Sequence, residues 1–204
     1  MKYRWFAIQL VVVCVIVFIF QLIYPQITDE FALVSATVLT KPWTLITSIF
    51  LHGSFEHLFY NMFALALFGS ILEKVIGGKK FLIIFFVSGI ISGIGSVFFY
   101  TASIGASGAI YGLLGTLAAL RPTMGVLVGF VPMPMAMAIL LWTAGDLIGL
   151  FAPDQVAHAA HLSGLAFGLI IGLSLREKHK ETHEKRKEPE ISEEELEEWE
   201  DRWM

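Results

Sequence analysis

Charged side chains are scarce: 16% of the 204 residues are Asp, Glu, Lys or Arg, against about 25% in an ordinary soluble domain. The deficit is also uneven. Residues 1–175 hold seven basic and six acidic side chains, and the last 29 residues hold the other seven basic and twelve acidic ones. This scarcity argues against a water-soluble enzyme, a nucleic-acid binder and a disordered chain. Cysteine is nearly absent. Cys14 alone excludes an intrachain disulfide and a cysteine-rich metal cluster. No histidine or charge lies near it in sequence to activate the thiol, so it reads as a small packing or lipid-facing residue. What is abundant is apolar: 56% of residues, with a mean hydropathy of +0.71. An almost charge-free body followed by a charged tail is the profile of a polytopic membrane protein with a soluble appendage.

A hydrocarbon core about 30 Å thick takes about 20 helical residues to cross. Six stretches qualify, at approximately 5–24, 54–76, 81–100, 104–120, 124–151 and 155–175, the fifth tolerating Asp146. The first follows Lys2 and Arg4 but is too long for a signal-peptide core, so it reads as an uncleaved anchor. Ser54 is a plausible N-cap for the second, and Gly77-Gly78 a plausible stop. The charges orient the chain. With Lys2 and Arg4 in the cytoplasm, Lys74, Lys79, Lys80, Arg121 and the Arg176/Lys178/Lys180 cluster fall there too, and only Lys41 lies outside. The expected fold is therefore an all-α bundle of six transmembrane helices with both termini cytoplasmic. Residues 1–176 form the membrane domain and 177–204 a charged tail. Ser192 with Glu195, followed by Leu196, Trp199 and Trp203, allows a short amphipathic helix in that tail. Residues 25–53 form the one long connection, expected to rest in the outer interface with Trp43 at headgroup level.

Polar residues inside membrane helices are expensive and point to function. The second, fourth and sixth helices all enter from the outer face, and each carries polar groups near its start: His57 and Asn61, Ser107, and His161. At 1.5 Å per residue these share one shallow layer. The fourth helix paints one face with Gly108, Gly112, Gly115 and Ala119, and the sixth with Gly164, Gly168 and Gly172. Small-residue faces let helix backbones approach closely. Packing one face on the other would bring the Ser107 hydroxyl near the His161 imidazole. A serine needs an adjacent base to become a nucleophile, and a neutral imidazole is such a base. His57 and Asn61, one turn apart, together with the Ser107 backbone N–H would form an oxyanion hole. No aspartate obviously supports His161, so a dyad is the simplest arrangement. For Asp146 two partners are open, His161 or His158 on the one hand and an N–H or hydroxyl near the aqueous rim on the other, and the second is favoured. His158 is either a second polar wall of the cavity or a residue at the water boundary, and again the second is favoured. His52 is expected to tie down the long loop. Glu73 should be structural, and Phe55, Phe59 and Phe63 a lipid-facing or packing stripe.

Gly105-Ala106-Ser107-Gly108-Ala109 at a helix head, with Ala160-His161 and then Gly164 and Gly168, resembles the rhomboid intramembrane serine proteases. The segment from Leu51 to Asn61, with His52, His57 and Asn61, is similar to that family's histidine-rich second helix, and Gly69, Glu73 and Gly77 look like its continuation. The resemblance spans residues 40–175. It implies a rhomboid-like bundle with Ser107 as nucleophile, His161 as general base, and His57 and Asn61 as oxyanion donors. Gly105, Gly108, Gly164, Gly168 and His52 would be structural near the site. It further implies cleavage of transmembrane segments of other membrane proteins near the outer side of the bilayer, with no cofactor. One departure is visible: Trp43 is followed by Thr44 where many members carry arginine.

Two other functions compete with this one. A histidine-based metal transporter or metalloprotease would use His52, His57, His158 and His161. Against it, no HExxH is present and no intramembrane carboxylate is expected to join the histidines. A catalytically inactive scaffold of the same fold is disfavoured by the presence of both Ser107 and His161. The expected partners are transmembrane substrates and lipid, with no metal and no nucleic acid, in the plasma or cytoplasmic membrane.

Overall fold

The computed structural model describes residues 4–152 and 156–184, together with Glu198 and Arg202. Helix α1 (Phe6–Ile23) leads into a short helix α2 (Gln26–Phe31), strand β1 (Leu33–Val34), helix α3 (Thr44–Thr47) and a 3₁₀ turn at Ser48–Phe50. Next, α4 (Phe55–Ala64) runs through one π-helical turn at Leu65–Gly69 into α5 (Ser70–Ile76). Then come α6 (Gly78–Val97), β2 (Ala102–Ser103), α7 (Ser107–Leu120), β3 (Gly125–Val128), β4 (Val131–Pro134), α8 (Met135–Gly149) and α9 (His158–Glu184). β1 pairs antiparallel with β2 through Leu33↔Ser103 and Val34↔Ala102. This pairing fastens the long first connection to the turn that precedes α7.

Among the described residues, four helical stretches are long and apolar enough to cross a membrane: Phe6–Ile23, Phe55–Ile76, Gly78–Val97 and His158–Arg176. α7 and α8 are shorter apolar helices. The architecture is a helical bundle of an integral multi-pass membrane protein. α7 is its centre, with Gly112 to Ala119 buried without interruption. A helix apolar all round is a buried helix, and one wrapped by its neighbours need not reach both surfaces.

Local signals explain several boundaries. Ser54 is extended and its hydroxyl accepts the His57 backbone N–H at 3.1 Å, satisfying an orphan donor at the start of α4. Gly77 ends α5 at φ +83, a conformation costly for residues with a Cβ. At the start of α1, Glu73 from α5 accepts the Ala7 N–H at 3.1 Å from a buried position, which gives this carboxylate its structural role. Phe55, Phe59 and Phe63 are exposed on one face of the α4 span, as expected of a lipid-facing stripe.

The fifth stretch differs from expectation. The charge-free run 124–151 does not form one helix: residues 125–134 make a β-hairpin, paired from Gly125↔Pro134 to Val128↔Val131, and helix begins only at Met135. Pro132 and Pro134 remove backbone donors and favour extended geometry before them. Gly129 and Phe130 both take positive φ, +55 and +69, as a two-residue hairpin turn requires. The fourth helix begins at Ser107 rather than 104. The expected amphipathic segment around Ser192–Trp203 and the connection Pro153–Gln155 lie outside the described residues, apart from Glu198 and Arg202.

α6, α7 and α9 form the tightest unit. A Cβ at Gly164 or Gly168 would overlap the backbone carbonyl oxygen of Gly108 or Gly112 respectively, and at Gly172 it would stand 2.8 Å from the Thr116 carbonyl. Contacts that advance together along both chains mean that α7 and α9 run parallel. Ser92 and Ser88 of α6 meet Gly108 and Gly112 in the reverse order, so α6 is antiparallel to both. Hydrogen bonds reinforce this close packing: Thr116 donates to Gly168 O at 3.0 Å, and Ser92 to Ala160 O at 2.8 Å, both buried. Interhelical bonds of this kind contribute about 0.6–2 kcal/mol in membranes. Thr116→Val should therefore lower unfolding stability in detergent by about that amount. Gly168→Val, which drives a side chain into a backbone atom, should cost more than about 3 kcal/mol. Equal thermal shifts for the two variants would contradict backbone-level packing.

Candidate active site

The starts of α4, α7 and α9 gather at one end of the bundle. Gly105, at φ +121, carries the chain into α7; a Cβ there would stand 2.7 Å from the His57 imidazole and 3.8 Å from Asn61 Nδ2. His57 and Asn61, one turn apart on α4, thus converge on the backbone immediately before Ser107. Ser107 is the first residue of α7 and lines a small cavity with Ser48, Ser92, Ser103, Gly105 and Ala160. Its helix-start position leaves its backbone N–H without a partner four residues back. Asn61 is buried.

His161 is buried on the second turn of α9. Its ring stacks on Tyr111 of α7, with centroids 4.3 Å apart and planes within 11°. Tyr111 is four residues after Ser107, so both occupy one helical face. The ring is therefore seated one turn along α7 from Ser107, beside the Gly108–Gly164 contact. On its other side, His161 Nδ1 lies 3.0 Å from Asp146 Oδ1, and His158 Nδ1 lies 2.6 Å from the same oxygen.

His52 packs edge-on against His57, centroids 5.1 Å apart. The loop is tied down through the His52 backbone. Buried Gln21 of α1 accepts the His52 N–H at 3.0 Å and donates to its carbonyl at 3.3 Å, while also donating to Thr28 Oγ1 at 2.8 Å. Burial, and next the neighbouring His57 charge, hold the His52 imidazole down to about 4, with the Phe50 carbonyl pulling weakly the other way. The ring is neutral at physiological pH and serves as packing beneath His57.

A family model described as "Rhomboid domain" matches residues 39–178. The chain belongs to the rhomboid family. It is 32% identical to "Putative rhomboid protease YdcA" of Bacillus subtilis (strain 168) over 139 residues, covering 67% of this chain and 68% of that protein. It is 30% identical to "Rhomboid protease GlpG" of Yersinia pestis (strain Pestoides F) over 181 residues, covering 81% of this chain and 60% of that one. The same figures hold for "Rhomboid protease GlpG" of Yersinia pseudotuberculosis serotype O:3 (strain YPIII). This rhomboid therefore spans less than two thirds of the length of the Yersinia relatives.

The structure corrects two expectations about the site. Asp146 takes two imidazoles as partners, not a hydroxyl or backbone N–H at the rim, and His158 is buried rather than at the water boundary. The reason is energetic: a carboxylate inside a membrane helix is tolerated when strong donors reach it, and α8 presents Asp146 to the first two turns of α9. An intramembrane carboxylate does therefore join the histidines, and Asp146, His158 and His161 place one ligand atom each within 4.8 Å of one another. Tyr111 was not foreseen, although its spacing of four from Ser107 was readable. Nor were Ser88 and Ser92, which fill the grooves opened by Gly112 and Gly108. Replacing Gly105 by alanine should strain φ and push His57 aside. We expect a stability loss of about 1–3 kcal/mol, read as a lower melting temperature in detergent, whereas Gly125→Ala, whose Cβ would meet nothing within 4 Å, should be nearly silent.

Proposed function

We propose that this rhomboid is an intramembrane serine endopeptidase that hydrolyses peptide bonds in transmembrane segments of other membrane proteins. The stacking of His161 on Tyr111, one turn from Ser107, is the observation that carries this reading. The names of its relatives, rhomboid proteases, agree with it. Ser107 Oγ attacks the scissile carbonyl carbon while His161 Nε2 takes its proton. The negative charge that develops on the carbonyl oxygen is met by His57, Asn61 and the Ser107 N–H. The intermediate collapses as the imidazolium returns its proton to the leaving amine. Water, deprotonated by the same imidazole, then releases the acyl group and restores the serine. No cofactor enters any step. Residues 1–176 form the catalytic domain in this reading, residues 177–204 a cytoplasmic tail, and the site opens toward the outer side of the bilayer.

Substrate enters sideways, and α8 is the element suited to admit it. Leu140, Leu141, Leu147 and Ile148 on α8 are exposed, and it meets the α4–α5 span through Trp142 against Phe68, centroids 6.2 Å apart. The hairpin and Pro134 interrupt its backbone at the other end.

The Asp146–His158–His161 cluster favours one other reading, a metal site. The two readings exclude each other at His161. A cation bound at Nδ1 would leave the proton on Nε2, where the imidazole could no longer act as a base for Ser107.

Three outcomes follow. Ser107→Ala and His161→Ala should each lose at least about 10⁴ in rate, and Asn61→Ala about 10²–10³, with the fold intact by circular dichroism. A fluorophosphonate should label Ser107, and 1,10-phenanthroline should leave activity unchanged; inhibition by the chelator would favour the metal reading. Finally, a short thiol-reactive cross-link across Phe68→Cys and Trp142→Cys, in a Cys14→Ser background, should block cleavage of a transmembrane substrate while Ser107 still reacts with the fluorophosphonate. Unimpaired cleavage would refute entry past α8.

A further inference from the structure

We infer that Asp146 is a positioning residue for His161, holding the proton on Nδ1 so that Nε2 is left bare, and that His158 anchors the Asp146 carboxylate for this task. The inference rests on the reading of His161 as general base and goes beyond the Ser107–His161 pair.

Asp146 Oδ1 is 3.0 Å from His161 Nδ1 and 2.6 Å from His158 Nδ1. An ionised carboxylate only accepts hydrogen bonds, so each neutral imidazole facing it through Nδ1 carries its proton there. For His161 that leaves the lone pair on Nε2, the tautomer a general base requires. Two constraints then act on one ring. Stacking on Tyr111 sets its plane, and the bond to Asp146 sets its rotation within that plane. When the ring takes a proton from serine, the carboxylate also stabilises the new positive charge.

His158 has a distinct part. It is the first residue of α9, and its ring occupies the space that a side chain at Gly149 of α8 would fill. Its shorter bond fixes the carboxylate while competing for the charge that would otherwise go wholly to His161. Among the described residues, the other titratable groups around this cluster are His57 of α4, Tyr111 of α7, whose phenol faces the same carboxyl group, and Tyr100. The Tyr100 hydroxyl accepts the Ala159 N–H at 3.1 Å beside them.

A purely structural role, in which Asp146 merely ties α8 to α9, predicts lower stability but no change in the ionisation that governs the rate. The test uses the full chain in bilayer discs: wild type, Asp146→Asn and His158→Gln, with fluorophosphonate labelling, pH–rate profiles on a transmembrane substrate, and ¹⁵N shifts of the histidine rings. Asp146→Asn should lower kcat by about 10²- to 10⁴-fold, leave KM nearly unchanged, and move the acid limb of the profile to lower pH, because the imidazolium loses its counter-charge. His158→Gln should lower kcat by less than about tenfold and move the same limb to higher pH, because the carboxylate is left to His161 alone. In wild type, neutral His161 should show the proton on Nδ1, a measurement that needs no variant to fold. Wild-type kcat and acid limb in Asp146→Asn, or a proton on Nε2 in wild type, would overturn the inference while leaving the serine protease reading in place. Failure of folded wild type to be labelled at Ser107 would overturn that reading and this inference with it.

Discussion

The close approach of two helix backbones, α7 and α9, is the constraint on which the rest depends. Gly164 and Gly168 sit directly on the carbonyl oxygens of Gly108 and Gly112. In lipid there is no hydrophobic gain from pairing apolar helices, so van der Waals contact and hydrogen bonds must hold them. Contact at backbone level maximises the first, and Thr116 and Ser92 supply the second from buried positions. Ridges of leucine would hold the axes several ångströms farther apart and leave no room for ring-on-ring contact between Tyr111 and His161.

That contact gathers polar groups where a bilayer protein can sustain them. His161, Tyr111, His158 and Asp146 come from three helices, and each is matched by another member of the group. A lone carboxylate on α8 would be costly at this depth, but two imidazole donors offset the loss of water. The loop side is organised in the same way. Gln21 grips both backbone groups of His52, β1 pairs with β2, and Gly105 at positive φ brings the chain against His57 and Asn61. The loops that close this end are thus held by hydrogen bonds to α1, by pairing with each other and by close packing on α4.

Much was legible because its signals are local or periodic. Charge-free runs mark the helices, Ser54 marks a cap, Gly77 marks a stop, and the glycine repeats mark the faces that meet. The exposed Phe55, Phe59 and Phe63 follow from the same periodicity. Other features were not legible in this way. The apolar run containing Gly125 to Pro134 has the hydropathy of a membrane helix, yet its prolines and the positive-φ turn at Gly129-Phe130 make a hairpin. Hydropathy measures the side chains' preference for lipid and carries nothing about which backbone they will adopt.

By itself the sequence determined the membrane class, the family, and which helices carry serine, histidine and asparagine near their starts. Only the tertiary structure decided that Asp146 pairs with His158 and His161, that Tyr111 supports the ring, and that Ser88 and Ser92 fill the glycine grooves. The reason is geometric. Spacing along a chain places a side chain on a helix face and at a depth, but a hydrogen bond between helices depends on their mutual rotation and tilt. Those are set by the packing of the whole bundle.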